Sequence, residues 1–192
     1  MSAASFFRTL RTVFAEQEAS LNALDQAVGD GDHGSTMLRG LDAAAAASAA
    51  YGKAFARAAG GASGTLFGAV FDQLEAVLDD ANANGATLAA ALKSAADRVA
   101  LMGQAKPGDK SMLDPIASVV SGLADAPGLS LSDAAALAVT LAHEGAEATT
   151  AMVGRRGRVR YVAGGGVGHL DPGARSVVLV LTAFHKAVGE SA

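Results

Sequence analysis

Apolar residues recur three and four positions apart along almost the whole chain, and that spacing leaves little room for anything but helices. Phe6, Phe7, Leu10, Val13, Phe14, Leu21 and Leu24 fall on one face of a helix over residues 3–24. The same period predicts a helix over 66–78, with Phe67, Val70, Phe71, Leu74 and Leu78 inward. Another follows Thr87, which reads as its cap, and carries Leu88, Leu92, Ala95, Val99 and Met102. Val177 to Leu181 has the propensity of a buried strand. Asp171 as N-cap, Pro172 as first helical residue and continuation through Val188 make it a buried helix instead. Strand-like alternation is confined to Arg158–Tyr161, expected as a short extended piece.

The breaks between these periods set the remaining boundaries. A helical stretch from Ser35 to Ala59 is interrupted near Ser48 or Gly52, and residues 60–64 read as a loop. Asn82–Gly85 closes the 66–78 helix. Residues 104–109, with Pro107-Gly108, form another loop. A helix follows over 111–124, where Pro115 is tolerated in the first turn. Ser130 or Ser132 caps a helix reaching about Met152. Residues 154–171 are glycine-rich and carry four arginines; a connection this long reads as a lid over a binding site. Apolar residues make up 51% of the chain but aromatics only 5%, so alanine supplies much of the contact surface and helices approach closely. The expected architecture is one all-α domain over 1–192, with seven or eight helices.

Charge and composition narrow the function classes. With net charge -4 and no basic stripe, nucleic acid is not an expected partner. The first residues lack the order of a secretory signal, and no apolar run reaches membrane-spanning length. Absence of cysteine excludes thiolate chemistry and fits a reducing compartment. A cytoplasmic location is the expectation.

The densest chemistry is Leu24-Asp25-Gln26-Ala27-Val28-Gly29-Asp30-Gly31-Asp32-His33-Gly34. Three carboxylates in eight residues repel one another unless a cation joins them. The interleaved glycines let the backbone turn tightly enough for convergence. Hard oxygen ligands on such a turn suit magnesium, which retains open positions for water or phosphate oxygens. The other reading is a solvated turn in which Asp32 caps the next helix. The spacing is not that of an EF-hand.

Further motifs follow in order: G-G-A-S-G at 60–64, G-x4-P-G-D-K-S-M at 103–112, G-R-x2-Y at 157–161 and G-H-x-D-P-G-A at 168–174. Taken together with L-D-x4-G-D-G-D-H-G, they make the chain similar, nearly end to end, to the nucleotide-binding subunit of dihydroxyacetone kinases, subunit L. The same unit forms the C-terminal half of single-chain members. That resemblance implies a closed barrel of about eight antiparallel helices with a glycine-rich lid, holding ADP or ATP at one end through two magnesium ions. Asp25, Asp30 and Asp32 match the metal ligands. His33, Gly34, Ser35 and Thr36 match the following turn at the phosphates, and Ala62 and Ser63 a second phosphate-side loop. Gly103 and Met112 match positions near the adenine, and Arg158 the lid arginine. Asp171, Pro172 and Gly173 match the segment closing the pocket. The implied activity is phosphoryl transfer to dihydroxyacetone or a related short ketose, held by a separate substrate-binding subunit K. The phosphate arrives either from exchanging ATP or, with ADP resident, from a phosphotransferase-system protein fed by phosphoenolpyruvate. The alternative is a non-catalytic nucleotide-binding regulator acting on a transcription factor or partner kinase.

The charge balance is consistent with that chemistry. A triphosphate carries about four negative charges, the aspartates add three, and two magnesium ions return four; helix N-termini near Gly34 and Gly64 and the guanidinium of Arg158 offset the remainder. Other residues draw plainer expectations. His33 is a phosphate neighbour or a structural turn histidine. His169 makes a structural hydrogen bond, and His143 and His185 are ordinary helix side chains. Lys106 and Lys110 are solvated loop lysines, although phosphate or partner contacts are open to them. Asp109 caps the helix bearing Met112, and Met112 suits a core position as well as an adenine contact. Arg155, Arg156 and Arg160 are surface or partner-facing. No residue of this chain is expected to be catalytic in the covalent sense, since Ser63 has no general base in view. Two departures stand out. The stretch between Arg39 and Gly60 is short for the family, and Gly164-Gly165-Gly166 replaces a more charged lid sequence, giving a more mobile lid.

Overall fold

The computed structural model describes residues 2–189. Eight α-helices follow one another: α1 Ala3–Val28, α2 His33–Ala46, α3 Tyr51–Ala59, α4 Gly61–Asp79, α5 Gly85–Gly103, α6 Leu113–Ala124, α7 Leu131–Ala148 and α8 Pro172–Gly189. Each packs on the next, and α8 returns against α1, which closes the barrel. No strand occurs among the described residues, and the valine-rich run of α8 is helical, as its cap and length imply. No helix among them is long and apolar enough to cross a membrane.

All seven phenylalanines are buried inside this ring. Phe7 stacks on Tyr51 at 5.0 Å and meets Phe71 edge-on at 5.4 Å, while Phe55 meets Phe71 at 4.7 Å. Edge-to-face geometry matches the aromatic quadrupoles and adds to burial. On the opposite side α7 buries a stripe of Ala134, Ala135, Ala138, Ala142 and Ala146. The few aromatics thus concentrate between α1, α3 and α4, and alanine permits close contact elsewhere.

Several boundaries differ from the sequence expectation, each for a local reason. Helix α1 runs on to Val28, so Asp25 lies within its last turn rather than beyond it. The break between α2 and α3 falls at residues 47–50, near Ser48. Only Gly60 is needed to turn the chain before α4, so Ala62 and Ser63 sit in its first turn rather than in a loop. Asn84, not Thr87, caps α5; the Asn84 carboxamide oxygen accepts from the Thr87 backbone, and Thr87 Oγ1 accepts the Asn84 N–H in return. Ser130 caps α7. Asp109 does not cap α6. The Leu113 N–H goes to Ser111 Oγ at 3.2 Å, and the Asp114 carboxylate in the first turn holds the preceding loop through the N–H groups of Gly108 at 2.5 Å and Ser111 at 2.7 Å.

The expected lid is not structureless. After a 3-10 turn at Thr149–Ala151, it winds through two more, Arg158–Tyr161 and Ala163–Gly166. The extended piece predicted at 158–161 is therefore a 3-10 turn, centred on the buried Val159, which packs under Gly154 and Gly166.

Candidate functional site

The carboxylate of Asp25 organises the acidic turn. Its Oδ2 accepts the backbone N–H of Asp32 at 3.0 Å and of His33 at 3.2 Å. Those are orphan donors at the start of α2, which Asp32's own side chain does not cap. One aspartate at the end of α1 therefore caps the next helix, and the solvated-turn reading, in which Asp32 did so, does not describe this turn. A Cβ at position 29 would stand 2.2 Å from Asp25 Oδ1, so glycine is required for the carboxylate to lie where it does. Asp25, Asp30 and Asp32 each present an oxygen within 4.8 Å of the others, the first buried and the other two exposed. Such all-oxygen, part-open sets fit a magnesium ion that retains water or phosphate ligands.

These oxygens stand at the edge of a cavity of about 500 Å³. Its lining includes an apolar group, Leu66 and Phe67 of α4, Val99 and Gly103 of α5, and Met112. His33, Thr36, Ala62, Ser63, Arg158, Asp171, Pro172 and Gly173 also line it. Gly34 and Ser35 do not. The Ser35 hydroxyl donates to Glu18 Oε1 at 2.7 Å and accepts from Asn22 Nδ2 at 2.9 Å, and its N–H donates to Asn22 Oδ1 at 3.1 Å. A Cβ on Gly34 would lie 2.3 Å from the Glu18 carbonyl. Both residues lock α2 against α1 on the side away from the cavity.

His33 is buried and neutral. Burial lowers its pKa to about 4 against the opposing pull of Asp25. Its Nε2 hydrogen-bonds Ser176 Oγ at 2.8 Å, the proton's direction depending on the tautomer, and its ring tilts against Phe67. It therefore ties α2 to α8 and brings no positive charge to a phosphate.

Arg158 reaches from the lid to the acidic turn. Its Nη1 pairs with Asp30 Oδ1 and stands 3.9 Å from Asp32 Oδ1. Asp171 begins α8, with its Oδ2 accepting the Ala174 N–H at 2.7 Å. Burial of that carboxyl raises its pKa to about 7, more than the Ala174 hydrogen bond and Lys110 lower it.

Lys110 is the largest correction to the sequence reading. It is not solvated: the side chain is 1% exposed, and Nζ donates to the carbonyls of Thr149 at 2.6 Å and His169 at 2.5 Å. Burial lowers its pKa, opposed by Asp171 and Asp114. Asp109, also buried, accepts from Lys106 N–H at 3.1 Å and from Arg156 Nε at 3.4 Å. His169 is exposed and contributes through its backbone; its N–H donates to Gly166 at 3.2 Å. Arg39 was also missed. It lines the cavity and donates to the carbonyls of Ala58 and Ala59 and to Thr36 Oγ1, closing the C-terminus of α3.

A family model described as the DAK2 domain matches residues 27–186. The chain belongs to the DAK2 domain family. Among DAK2 relatives, the PEP-dependent dihydroxyacetone kinase ADP-binding subunit DhaL of Escherichia coli is 33% identical over 93% of this chain and 92% of its own length. L-erythrulose 1-kinase of Mycolicibacterium smegmatis is 34% identical over 95% of this chain, which spans 34% of that longer protein. A crystal structure of the dihydroxyacetone kinase from C. freundii in complex with AMP-PNP and Mg2+ superposes with TM-score 0.68 over 96% of this chain and 33% of that one. At 24% identity that likeness establishes the helical DAK2 fold.

Proposed function

We propose that this DAK2 chain is the nucleotide-binding subunit of a ketose kinase. It holds ADP or ATP through two magnesium ions and delivers a phosphoryl group to dihydroxyacetone or a related short ketose, held by a separate substrate-binding subunit. The observation that carries this reading is the convergence of Asp25, Asp30 and Asp32 within 4.8 Å at a cavity that is also lined by Leu66, Phe67, Val99 and Met112. A cavity lined by both carboxylates and apolar side chains suits a ligand with a polyphosphate and a base. The names of the relatives, an ADP-binding kinase subunit and an erythrulose kinase, support it.

Magnesium bound at the three aspartates would neutralise the polyphosphate and polarise the phosphoryl being transferred. The chain's own groups supply position and charge. Asp25, fixed by two backbone donors, gives a rigid anchor, while exposed Asp30 and Asp32 complete the oxygen set. Ala62 and Ser63, in the first turn of α4, present free N–H groups to phosphate oxygens. Arg158 on the lid offers a forked guanidinium, able to leave Asp30 for phosphate oxygens. Neutral His33 neither competes with the metal nor accepts the ketose proton; the group holding the ketose belongs to the partner. Met112 and Gly103 face the base.

The decisive experiment is calorimetry of the purified chain with ADP and ATP, with and without magnesium. Magnesium-dependent uptake is expected, and its absence in folded protein refutes the reading. Mixing the chain with a substrate-binding subunit, a ketose panel and either ATP or the phosphoenolpyruvate-fed phosphotransferase chain then identifies the donor. Nucleotide uptake without transfer from either donor would favour a regulator.

A further inference from the structure

The loop before α6 and the lid are far apart in sequence, yet the dipeptide Asp109-Lys110 joins them at four points. The Asp109 carbonyl accepts the Arg155 N–H at 3.1 Å, and its carboxylate takes Arg156 Nε at 3.4 Å. The Lys110 ammonium binds Thr149 O, where the chain leaves α7, and His169 O, where the lid returns. Those two segments are themselves adjacent, with Gly168 N–H donating to Thr150 O at 2.8 Å and Asp171 N–H to Thr149 Oγ1 at 3.1 Å. The lysine is thus a clasp on the neck of the lid.

A buried ammonium is expensive unless its donors are filled, and a charge-assisted bond is stronger than a neutral one. Two of three donors go to carbonyls, and Asp171 and Asp114 supply the compensating negative charge. The hairpin bearing Lys110 is rigid, because Asp114 holds Gly108 and Ser111 while Asp109 holds Lys106. Gly166 closes over the lysine stem; a Cβ there would stand 3.3 Å from Lys110 Cε.

We propose that Lys110 is a positioning residue: by clamping Thr149 and His169 together it sets the place of the lid and hence of Arg158 over the acidic turn. The clamp stands on hydrogen bonds alone, whereas its effect on ligand rests on the magnesium-nucleotide reading above.

The test uses the full chain with Lys110→Met, which keeps the stem and deletes the ammonium. Trypsin reports on the lid, which carries Arg155, Arg156, Arg158 and Arg160. Cleavage there is expected to accelerate at least about tenfold while helical content is retained. Magnesium-ADP affinity is expected to fall by about tenfold, and adding Arg158→Gln is expected to weaken it no further than Arg158→Gln alone, because both act through one guanidinium. Native lid cleavage in a folded Lys110→Met protein, or fully additive losses, overturns the proposal. Should the native chain bind no magnesium-ADP, the nucleotide reading fails and the trypsin result still decides the clamp. Should Lys110→Met not fold, nuclear magnetic resonance of the native chain decides. Slowly exchanging Lys110 ammonium protons, coupled to the carbonyl carbons of Thr149 and His169, support the clamp; exchange as fast as that of Lys106 overturns it.

Discussion

Asp25 accepts the backbone N–H of Asp32 at 3.0 Å, so one carboxylate from the last turn of the first helix starts the second and belongs to the acidic set. Losing it has two separable consequences. Asp25→Ala leaves the N–H groups of Asp32 and His33 without a partner and is expected to destabilise the fold by about 2 kcal/mol. Asp30→Ala, at an exposed position, is expected to change stability by less than about 1 kcal/mol. Both are expected to weaken magnesium-nucleotide binding, by about tenfold or more. Urea titration beside calorimetry checks this; equal stability losses for the two variants would contradict the double role of Asp25.

Arg158 pairs with Asp30 and approaches Asp32, placing a lid cation against the same oxygens. On the proposed function it competes with a metal ion when nucleotide is absent and serves the phosphates when nucleotide is bound. Arg158→Gln is therefore expected to bind free Mn2+ more tightly, by about threefold, because an exposed ion pair contributes under about 1 kcal/mol. Phosphoryl transfer in the reconstituted kinase is expected to drop by at least about a hundredfold. Spin-resonance titration of Mn2+ and a turnover assay give the two readouts. Weaker metal binding together with unchanged turnover would remove Arg158 from the site.

The helices were legible in the sequence because apolar period and capping residues are local properties, whereas their closure into a barrel was implied by the family resemblance. Asp25, Asp30 and Asp32 were legible as a cluster because three like charges within eight residues demand an explanation from the sequence alone. Lys110 was not. A loop lysine is ordinarily solvated, and its burial depends on two carbonyls, of Thr149 and His169, that only the folded chain brings near. Ser35 lies two residues after His33 but faces Glu18, because two residues along a helix rotate a side chain by about 200°. The 3-10 turns of the lid escaped for a related reason. Val159 orders them by packing under Gly154 and Gly166, a contact between residues that periodicity does not connect.

Gly34 tests how closely α1 and α2 must approach. A Cβ would meet the Glu18 carbonyl at 2.3 Å and Asn22 Oδ1 at 2.9 Å, and the nearer of the two is helix backbone, which does not swing aside. Although alanine is the better helix former, Gly34→Ala is expected to destabilise the protein by about 2–4 kcal/mol. Because the displaced helix carries the acidic turn, nucleotide affinity should fall as well. Chemical denaturation checks the first effect; a stability gain of the size that propensity alone predicts would show that the helices separate freely.

Asp171 and His33 impose opposite pH dependences on the metal-free protein. His33 has a pKa of about 4 folded against 6.5 unfolded, so the unfolded chain takes the proton first and stability falls as pH drops through that window. Asp171 has a pKa of about 7 folded against 3.8 unfolded, so the folded chain retains its proton longer and stability falls as pH rises from about 4 to about 7. Asp171→Asn removes the second effect while retaining a side-chain acceptor for the Ala174 N–H. The variant is expected to match the parent near pH 4 and to become more stable above pH 7. Partial exposure limits the gain to roughly 2 kcal/mol. Urea midpoints across that range, in chelator, measure the difference directly. A difference that stays constant with pH would mean that the Asp171 carboxyl is ionised throughout.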